Sequence, residues 1–180
     1  PKLSDVILNI QNWDMATDSN SFGAANYAVL YYTLINNFKN IKHKKIFDEI
    51  EIIDLITHTK THLLKHFGSV NIKVGDFQKL VRGNKEIGIF GLPDVITAMK
   101  GTKYKNGKIK ITHGESYISL VKFKDQKVEI ESVISYGASD DPSSKHYNDQ
   151  MDLYSKFKTK KMSLDKNEVY NKGVRLYNPK

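Results

Sequence analysis

Tyr-Gly-Ala-Ser-Asp-Asp-Pro-Ser-Ser-Lys-His-Tyr-Asn-Asp-Gln, residues 136–150, follows a run of alternating apolar and polar residues and opens into a helical pattern. Gly137 can adopt a positive φ, whereas Pro142 fixes its own φ and biases Asp141 towards extended geometry. Hydroxyl groups for local turn and N-cap hydrogen bonds come from Ser139, Ser143 and Ser144. The stretch therefore predicts an ordered connection from a strand to a helix.

The residues around this stretch have the two-residue period of β-strands. Strands are predicted over residues 108–112, 117–123 and 128–136, and the last two form a hairpin through Asp125. After the stretch we expect a helix that carries four side chains on one side, Tyr147, Gln150, Tyr154 and Phe157. A short helix capped by Ser163 or Asp165 and ending at Tyr170 follows, and then a final strand over 174–177.

The first half of the chain has helical periodicity instead. Helices are predicted over 4–13, with N-cap chemistry at Ser4 and Asp5, and over 22–38, with apolar residues on two sides. A long or broken helix covers 47–67 and ends at Gly68; its predicted inner face is Ile52, Ile53, Ile56, Leu63 and Phe67.

The connecting segments carry weaker signals. Residues 36–45 and 100–108 are lysine-rich and predict loops, 70–80 has the weak alternation of a strand, and 94–99 predicts a helical turn. The order of helices and then antiparallel strands indicates an α+β fold. We expect one structural unit with a mainly helical part, 1–100, and a part, 101–180, that holds the strands, the turn 136–150 and the C-terminal helix and strand.

Composition limits the classes of function. The chain has 180 residues, 39% of them hydrophobic, and a formal net charge of +8 that comes almost entirely from lysine, with Arg82 and Arg175 as the only arginines. Nucleic-acid sites usually recruit arginine, so we expect no nucleic-acid partner. The absence of cysteine excludes disulfides, a thiol nucleophile and thiolate zinc sites. No apolar run reaches the about 18 residues of a membrane span. The start at Pro1 favours a processed chain or a fragment.

The spacing Gly-x-Ser-x-x-Pro-x-Ser-x-His-Tyr-x-Asp-Gln over 137–150 resembles the C-terminal signature of the penicillin amidase (penicillin acylase) family, which includes acyl-homoserine lactone acylases. Further matching points occur in the same order along the chain: Trp13-Asp14, Asp18-Ser19, Phe67-Gly68, Gly91-x-Pro93-Asp94, His113-Gly114-x-Ser116-Tyr117 and Arg175-x-Tyr177-x-Pro179. The chain departs from the family at Lys145, where proline is common, and at Val74, where an aromatic residue is usual.

The resemblance implies an N-terminal-nucleophile hydrolase with an αββα sandwich, made as a precursor that cuts itself. It implies that this chain is the C-terminal part of the β subunit, inactive alone, whose partners are the α subunit and the N-terminal part of the β subunit. The nucleophile would be an N-terminal Ser upstream, and the substrate an N-acyl compound such as penicillin or an acyl-homoserine lactone. The resemblance assigns no catalytic, cofactor or metal residue to this chain, allows a structural calcium site upstream, and implies a periplasmic or secreted protein.

The residues themselves contain no complete catalytic motif. Ser139 has Asp141 where a nucleophile elbow needs glycine. The residue types of a triad occur at Ser144, His146 and Asp149, but they lie too close along one helix start for a proton relay. The run His113-Gly114-Glu115-Ser116 falls short of an oxyanion-hole motif. We predict that these residues cap and hold a turn.

Histidines recur every four residues at His58, His62 and His66, which places them in one helical stripe with metal-ligand spacing. Their polar neighbours indicate a solvent-facing stripe, and whether it binds metal stays open. Asp140 and Asp141 have the chemistry to bind a cation, although solvation at a helix start is the simpler interpretation. The glycines Gly83, Gly88 and Gly91 lack phosphate-loop spacing and predict turns.

Two alternatives to the acylase interpretation follow. A non-catalytic binding or scaffold module could reuse the same architecture, and a metal-dependent enzyme could use the histidine stripe.

Overall fold

The structure, a computed structural model, describes residues 3–37, 47–125 and 127–173. The chain forms two compact units, Pro1–Glu115 and Ser116–Lys180. Helices come first and sheets follow, so the predicted α+β class is confirmed. No helix in the described ranges combines the length and the apolar character that a membrane crossing requires.

The helices of the first unit are α1 (Ser4–Gln11), α2 (Phe22–Asn37), α3 (Glu49–Phe67) and the single turn α4 (Val74–Phe77). The prediction that α3 is long is confirmed, and it runs unbroken. Residues 38–46, which include Phe38 and most of the predicted lysine-rich loop, lie outside the described residues, whereas Asn36 still belongs to α2.

Local capping explains where α2 and α3 begin and end. The Ser21 hydroxyl accepts a hydrogen bond from the Ala24 amide at 3.1 Å. Asp48 and Glu51 form a reciprocal capping box at the start of α3, and Gly68 ends that helix with a φ of 72°. The predicted cap of α1 is wrong, because Leu3 occupies the N-cap position and makes no side-chain cap bond.

The buried faces of α2 and α3 meet in the core of the first unit. On α2 this face consists of Ala24, Ala25, Ala28, Val29 and Tyr32. On α3 the buried residues are Leu55, Thr59 and Leu63, whereas Ile52 and Ile53 are each 45% exposed. The predicted inner face of α3 is therefore wrong at those two isoleucines. Thr59 tolerates burial because its hydroxyl donates to the Leu55 carbonyl at 2.8 Å.

A four-stranded sheet completes the first unit. Its strands are β1 (Gln78–Arg82), β2 (Lys85–Gly88), β3 (Lys100–Lys103) and β4 (Ile109–His113), in the order β2-β1-β4-β3. The β1–β4 pair is parallel and the other pairs are antiparallel. The 70–80 segment contains α4 before a strand begins, and residues 94–99 form turns rather than a helix. The predicted loop 100–108 is β3 followed by a one-turn 3-10 helix, Lys105–Gly107.

The second unit is built on an antiparallel sheet of β5 (Tyr117–Lys124), β6 (Lys127–Ile134) and β7 (Lys160–Met162), in that order. The hairpin at Asp125, which has a φ of 48°, is confirmed. The sequence did not reveal β7. The helix α6 (Lys166–Lys172) begins at the predicted cap Asp165, whose carboxylate accepts from the Glu168 amide at 2.9 Å. The predicted strand 174–177 lies outside the described residues.

The helix predicted after residues 136–150 is only the single turn α5 (Met151–Tyr154). Before it, the backbone closes successive turns, such as the bond from the Tyr147 amide to the Ser144 carbonyl at 3.1 Å. After it, Phe157 has a φ of 53°, which stops the helix. Of the side chains predicted on one side of this helix, Gln150 and Tyr154 are buried, whereas Phe157 is exposed.

Candidate functional site

Residues 136–150, which we call the signature loop, are closed on themselves by backbone hydrogen bonds. The Gln150 amide donates to the Tyr136 carbonyl at 2.8 Å, and the Ser139 amide donates to the His146 carbonyl at 3.1 Å. The buried Gln150 side chain accepts from the Ile134 amide at 3.2 Å. The loop is thus tied to the end of β6, and its polar groups are used to hold its own shape.

Gly137 is required for a reason that differs from the predicted one. Its φ is not positive. A Cβ at this position would lie 2.1 Å from the His146 carbonyl oxygen, so two parts of the loop backbone approach too closely for any side chain. Close approach, rather than backbone freedom, explains the glycine.

The start of the signature loop is held by an aspartate turn. One carboxylate oxygen of Asp141 accepts from both the amide and the hydroxyl of Ser143, each at 2.8 Å. These two hydrogen bonds, the amide bond first, lower the pKa of Asp141. The Ser139 hydroxyl accepts from the Asp141 amide at 3.2 Å. Asp141 and Ser139 therefore serve the turn.

The triad-like residues of the signature loop are close together but not arranged as a relay. His146 Nδ1 lies 2.8 Å from an Asp149 carboxylate oxygen, which is the contact of a histidine–carboxylate pair. The Ser144 hydroxyl oxygen, however, accepts from the backbone amide of His146 at 3.2 Å. A nucleophile needs the imidazole as its base, so this serine lacks the contact that would activate it.

The His113-Gly114-Glu115-Ser116 run begins at the last residue of β4. His113 Nδ1 lies 2.9 Å from the neighbouring Thr112 hydroxyl. A Cβ on Gly114 would be 2.4 Å from the Met99 sulfur, so this glycine permits packing of the segment before β3. The turn predicted at Gly83, which has a φ of 58°, is confirmed, and Gly91 has a φ of 85° in an irregular segment. The turn predicted at Gly88 is wrong, because Gly88 is the last residue of β2 and lies against Gly75.

The histidine stripe lies on α3, and the structure gives two of its rings backbone partners. His58 Nδ1 is 2.8 Å from the Asp54 carbonyl oxygen, and His62 Nε2 is 2.8 Å from the Gly107 carbonyl oxygen. The His62 and His66 rings lie 4.6 Å apart. Among the described residues, no group of three or more histidine, aspartate or glutamate side chains could hold a metal ion.

The middle histidine of the stripe is not solvent-facing, contrary to the prediction. His62 is partly buried, and burial lowers its pKa more than the hydrogen bond to Gly107 raises it. Electrostatic interactions with His66, Lys65 and Lys103 lower that pKa further. The His62 imidazole is therefore neutral at pH 7, and its contact with a carbonyl requires the proton on Nε2.

A cleft of about 390 Å³ opens beside this stripe, between α2, α3 and the segment from β3 to β4. We call it the basic cleft and define it by its cationic and imidazole side chains, His58, His62, Lys65, His66, Lys103 and Lys108. Lys103 and Lys108 come from a segment some forty residues away along the chain, which only the β3–β4 pairing and the turn at Gly107 bring against α3. The histidine spacing was the only signal of this cleft in the sequence.

Comparison with known proteins assigns the chain to a family. Residues 4–171 match the family model described as penicillin amidase. The chain is also similar to two proteins named acyl-homoserine lactone acylase PvdQ. The one from Pseudomonas fluorescens (strain Pf0-1) is 29% identical over 46% of this chain, and the one from Pseudomonas syringae pv. syringae (strain B728a) is 33% identical over 47%.

In both cases the matched part is only 11% of the relative's own length. The family match, by contrast, takes in both compact units and the signature loop between β6 and α5. The chain belongs to the penicillin amidase family.

Proposed function

We propose that this chain is the C-terminal part of the β subunit of an acylase that hydrolyses a carbon–nitrogen amide bond in an N-acyl substrate. The observation that carries this proposal is the family match over residues 4–171, together with a matched share of only 11% of each relative's length. The names of those relatives suggest an acyl-homoserine lactone or a related acyl amide as the substrate.

The reaction needs a nucleophile that we place upstream of this chain. In the proposed mechanism, the hydroxyl of an N-terminal Ser attacks the amide carbonyl while its own α-amine, through a water, takes the proton. The amine then leaves, and water hydrolyses the acyl-enzyme. The arrangement of Ser144 and His146 supports a nucleophile outside this chain, because the ring of His146 does not contact the hydroxyl of Ser144.

One face of the sheet in the second unit supports the proposal that more protein belongs around this chain. Directly paired residues of antiparallel strands lie on the same face, and every second residue along a strand joins them. The pairs Phe123↔Val128 and Val121↔Ile130, with Met162 opposite Ile130, therefore share one face. Phe123 is 78% exposed, and Val121, Val128 and Met162 are exposed as well.

The opposite face near the same hairpin is charged. Lys122 and Glu129 are paired across the strands, with 3.9 Å between their charged groups, and Lys124 faces Lys127. A sheet with one charged and one apolar face normally buries the apolar face against a second layer. We propose that the missing layer is a sheet from the upstream part of the precursor, which would make this unit part of an αββα sandwich.

The remaining properties of the proposed enzyme rest on the family resemblance. We propose a precursor that cuts itself into α and β subunits, a periplasmic or secreted location, and a chain that is inactive without the rest of the precursor. On the same resemblance, we place any structural calcium in the upstream part.

The test is the mass and the N-terminal sequence of the protein made from the intact gene. We expect a longer precursor that splits ahead of a new N-terminal Ser, and acylase activity that disappears when this Ser is replaced by alanine. Cysteine at the same position should preserve cleavage better than alanine, because it keeps a nucleophile. A product that begins near Pro1 and never splits would remove the proposal and favour a non-catalytic binding module.

A further inference from the structure

The basic cleft in the first unit has features of a binding site that the acylase proposal does not use. Its floor contains the buried side chains Val29, Phe77 and Ile109, each exposed by 3% or less. Its rim carries the lysines and histidines that define it. A concave apolar floor with a few polar groups at the edge is the usual form of a small-molecule site.

The charge of the basic cleft has one sign. No aspartate or glutamate is among the described residues that line it. Lys108 pairs with Glu86 at 3.0 Å, and Lys105 pairs with the same carboxylate at 2.9 Å. These contacts lower the pKa of Glu86 to about 2, so one carboxylate is shared by two lysines. Lys65 and Lys103 have no such counterpart on the lining, which leaves the rim positive.

The geometry holds the rim in place from two sides. The Gly107 carbonyl accepts from His62 Nε2, and a Cβ on Gly107 would lie 2.3 Å from the His66 ring, so the turn fits closely against α3. On the opposite side, the Tyr32 hydroxyl accepts from the Gly101 amide at 2.9 Å and joins α2 to β3. The cleft walls are therefore linked by hydrogen bonds rather than by loose surface contacts.

We propose that the basic cleft binds a small organic anion, whose carboxylate or phosphate group lies between Lys65 and Lys103 while its flat apolar body covers Val29, Phe77 and Ile109. The neutral His62 ring adds a polar edge to the site without adding to the charge of the lysines. This site goes beyond the proposed acylase function and does not depend on it.

The test uses the full-length protein and phenyl phosphate as the probe, with binding followed by the line width of the probe's ³¹P signal. We expect a saturable site with a Kd on the order of 0.1 mM. Inorganic phosphate should bind more weakly, because it lacks the apolar body, and benzyl alcohol, observed by ligand proton signals, should also bind more weakly because it lacks the charge.

Two variants locate the site. Lys65→Gln with Lys103→Gln should raise the Kd by about tenfold or more, because charge-assisted hydrogen bonds are lost. Thr61→Trp, at an exposed position on the cleft wall, should also prevent binding while it leaves the net charge unchanged. The matched control is Lys100→Gln with Lys122→Gln, which removes the same charge outside the cleft and should change the Kd by about twofold at most.

Each outcome has a defined meaning. Loss of binding in both cleft variants and not in the control establishes the site. Equal weakening in the cleft and control double variants would reduce the effect to net charge and overturn the proposal. The proposal also fails if the wild-type protein shows no saturable binding, as it would if another part of the full-length protein covers the cleft. Acylase activity, measured in parallel, should be unchanged in all variants and reports separately on the proposed function.

Discussion

Replacing Gly137 with alanine tests whether close backbone approach determines the signature loop. The new Cβ would lie 2.1 Å from the His146 carbonyl oxygen, 2.8 Å from the Tyr147 carbonyl carbon and 2.9 Å from the Asn148 amide nitrogen. All three are backbone atoms, so no change of rotamer relieves the contact. The loop must open.

The size of the effect follows from the bonds that opening would break. Separating Gly137 from His146 removes the Ser139–His146 hydrogen bond and strains the bond between Gln150 and Tyr136. Each such bond contributes about 1 kcal/mol, and overpacking adds about 1–3 kcal/mol. Alanine also restricts the unfolded chain, which offsets about 0.4–1 kcal/mol of the destabilisation. The net local destabilisation is about 2–4 kcal/mol.

Hydrogen exchange measured by mass spectrometry on the full-length protein gives a local readout. We expect amides of the signature loop to exchange about 30-fold faster or more in Gly137→Ala, since about 1.4 kcal/mol corresponds to a factor of ten. Ala138→Ser, at the exposed neighbouring position, is the matched control and should leave exchange unchanged. If both variants exchange like the wild type, the close approach does not determine the loop.

Three further predictions concern the first unit. The ion pairs of Glu86 with Lys105 and, to a smaller extent, with Lys108 lower the pKa of Glu86 to about 2. The Glu86 carboxylate therefore stabilises the fold fully above pH 4.5, and this stabilisation is lost as the pH falls towards 2. In urea titrations, Glu86→Gln should therefore lower the free energy of unfolding by about 1 kcal/mol at neutral pH and by little at low pH. An equal loss at both pH values would contradict this prediction. Burial lowers the pKa of His62 below 6.5. The folded protein therefore keeps its full stability above pH 6.5, where His62 is neutral, and loses stability below pH 6.5, where protonation is favoured in the unfolded chain. His62→Gln keeps a donor for Gly107 and should remove this pH dependence from the melting temperature, whereas an unchanged pH profile would assign it to another group. Asp48→Ala should destabilise the start of α3 by about 1 kcal/mol, which hydrogen exchange should show as faster exchange of the amides in the first turn. Asp48→Ser should retain most of the cap, and equal exchange in the two variants would argue against the capping box.

The features that sequence predicted well are those decided within a few residues. The end of α3 at Gly68, the hairpin at Asp125 and the cap of α6 at Asp165 each depend on one residue and its nearby backbone. The family signature is local in the same sense, because its spacing over 137–150 can be compared without knowing any contact. The α+β order followed from the change of hydrophobic period near residue 108.

The inner face of α3 was predicted correctly at Leu63 but wrongly at Ile52 and Ile53, which are exposed. The polar residue Thr59 is buried instead, because its hydroxyl donates to the Leu55 carbonyl. Hydrophobicity alone does not indicate that a polar side chain can be buried when it forms a hydrogen bond within its own helix. The glycine at 137 was recognised as special, but its reason, the approach of His146, depends on how the loop closes.

The sequence by itself determined the class of the fold, the caps at Gly68 and Asp165 and the family to which the chain belongs. Only the tertiary structure decided the parallel pairing of β1 with β4 and the meeting of α3 with the 3-10 turn that forms the basic cleft. The physical reason is that capping and turn chemistry act between neighbours along the chain. Strand pairing and clefts join segments separated by tens of residues, whose contacts are selected by packing of the whole unit.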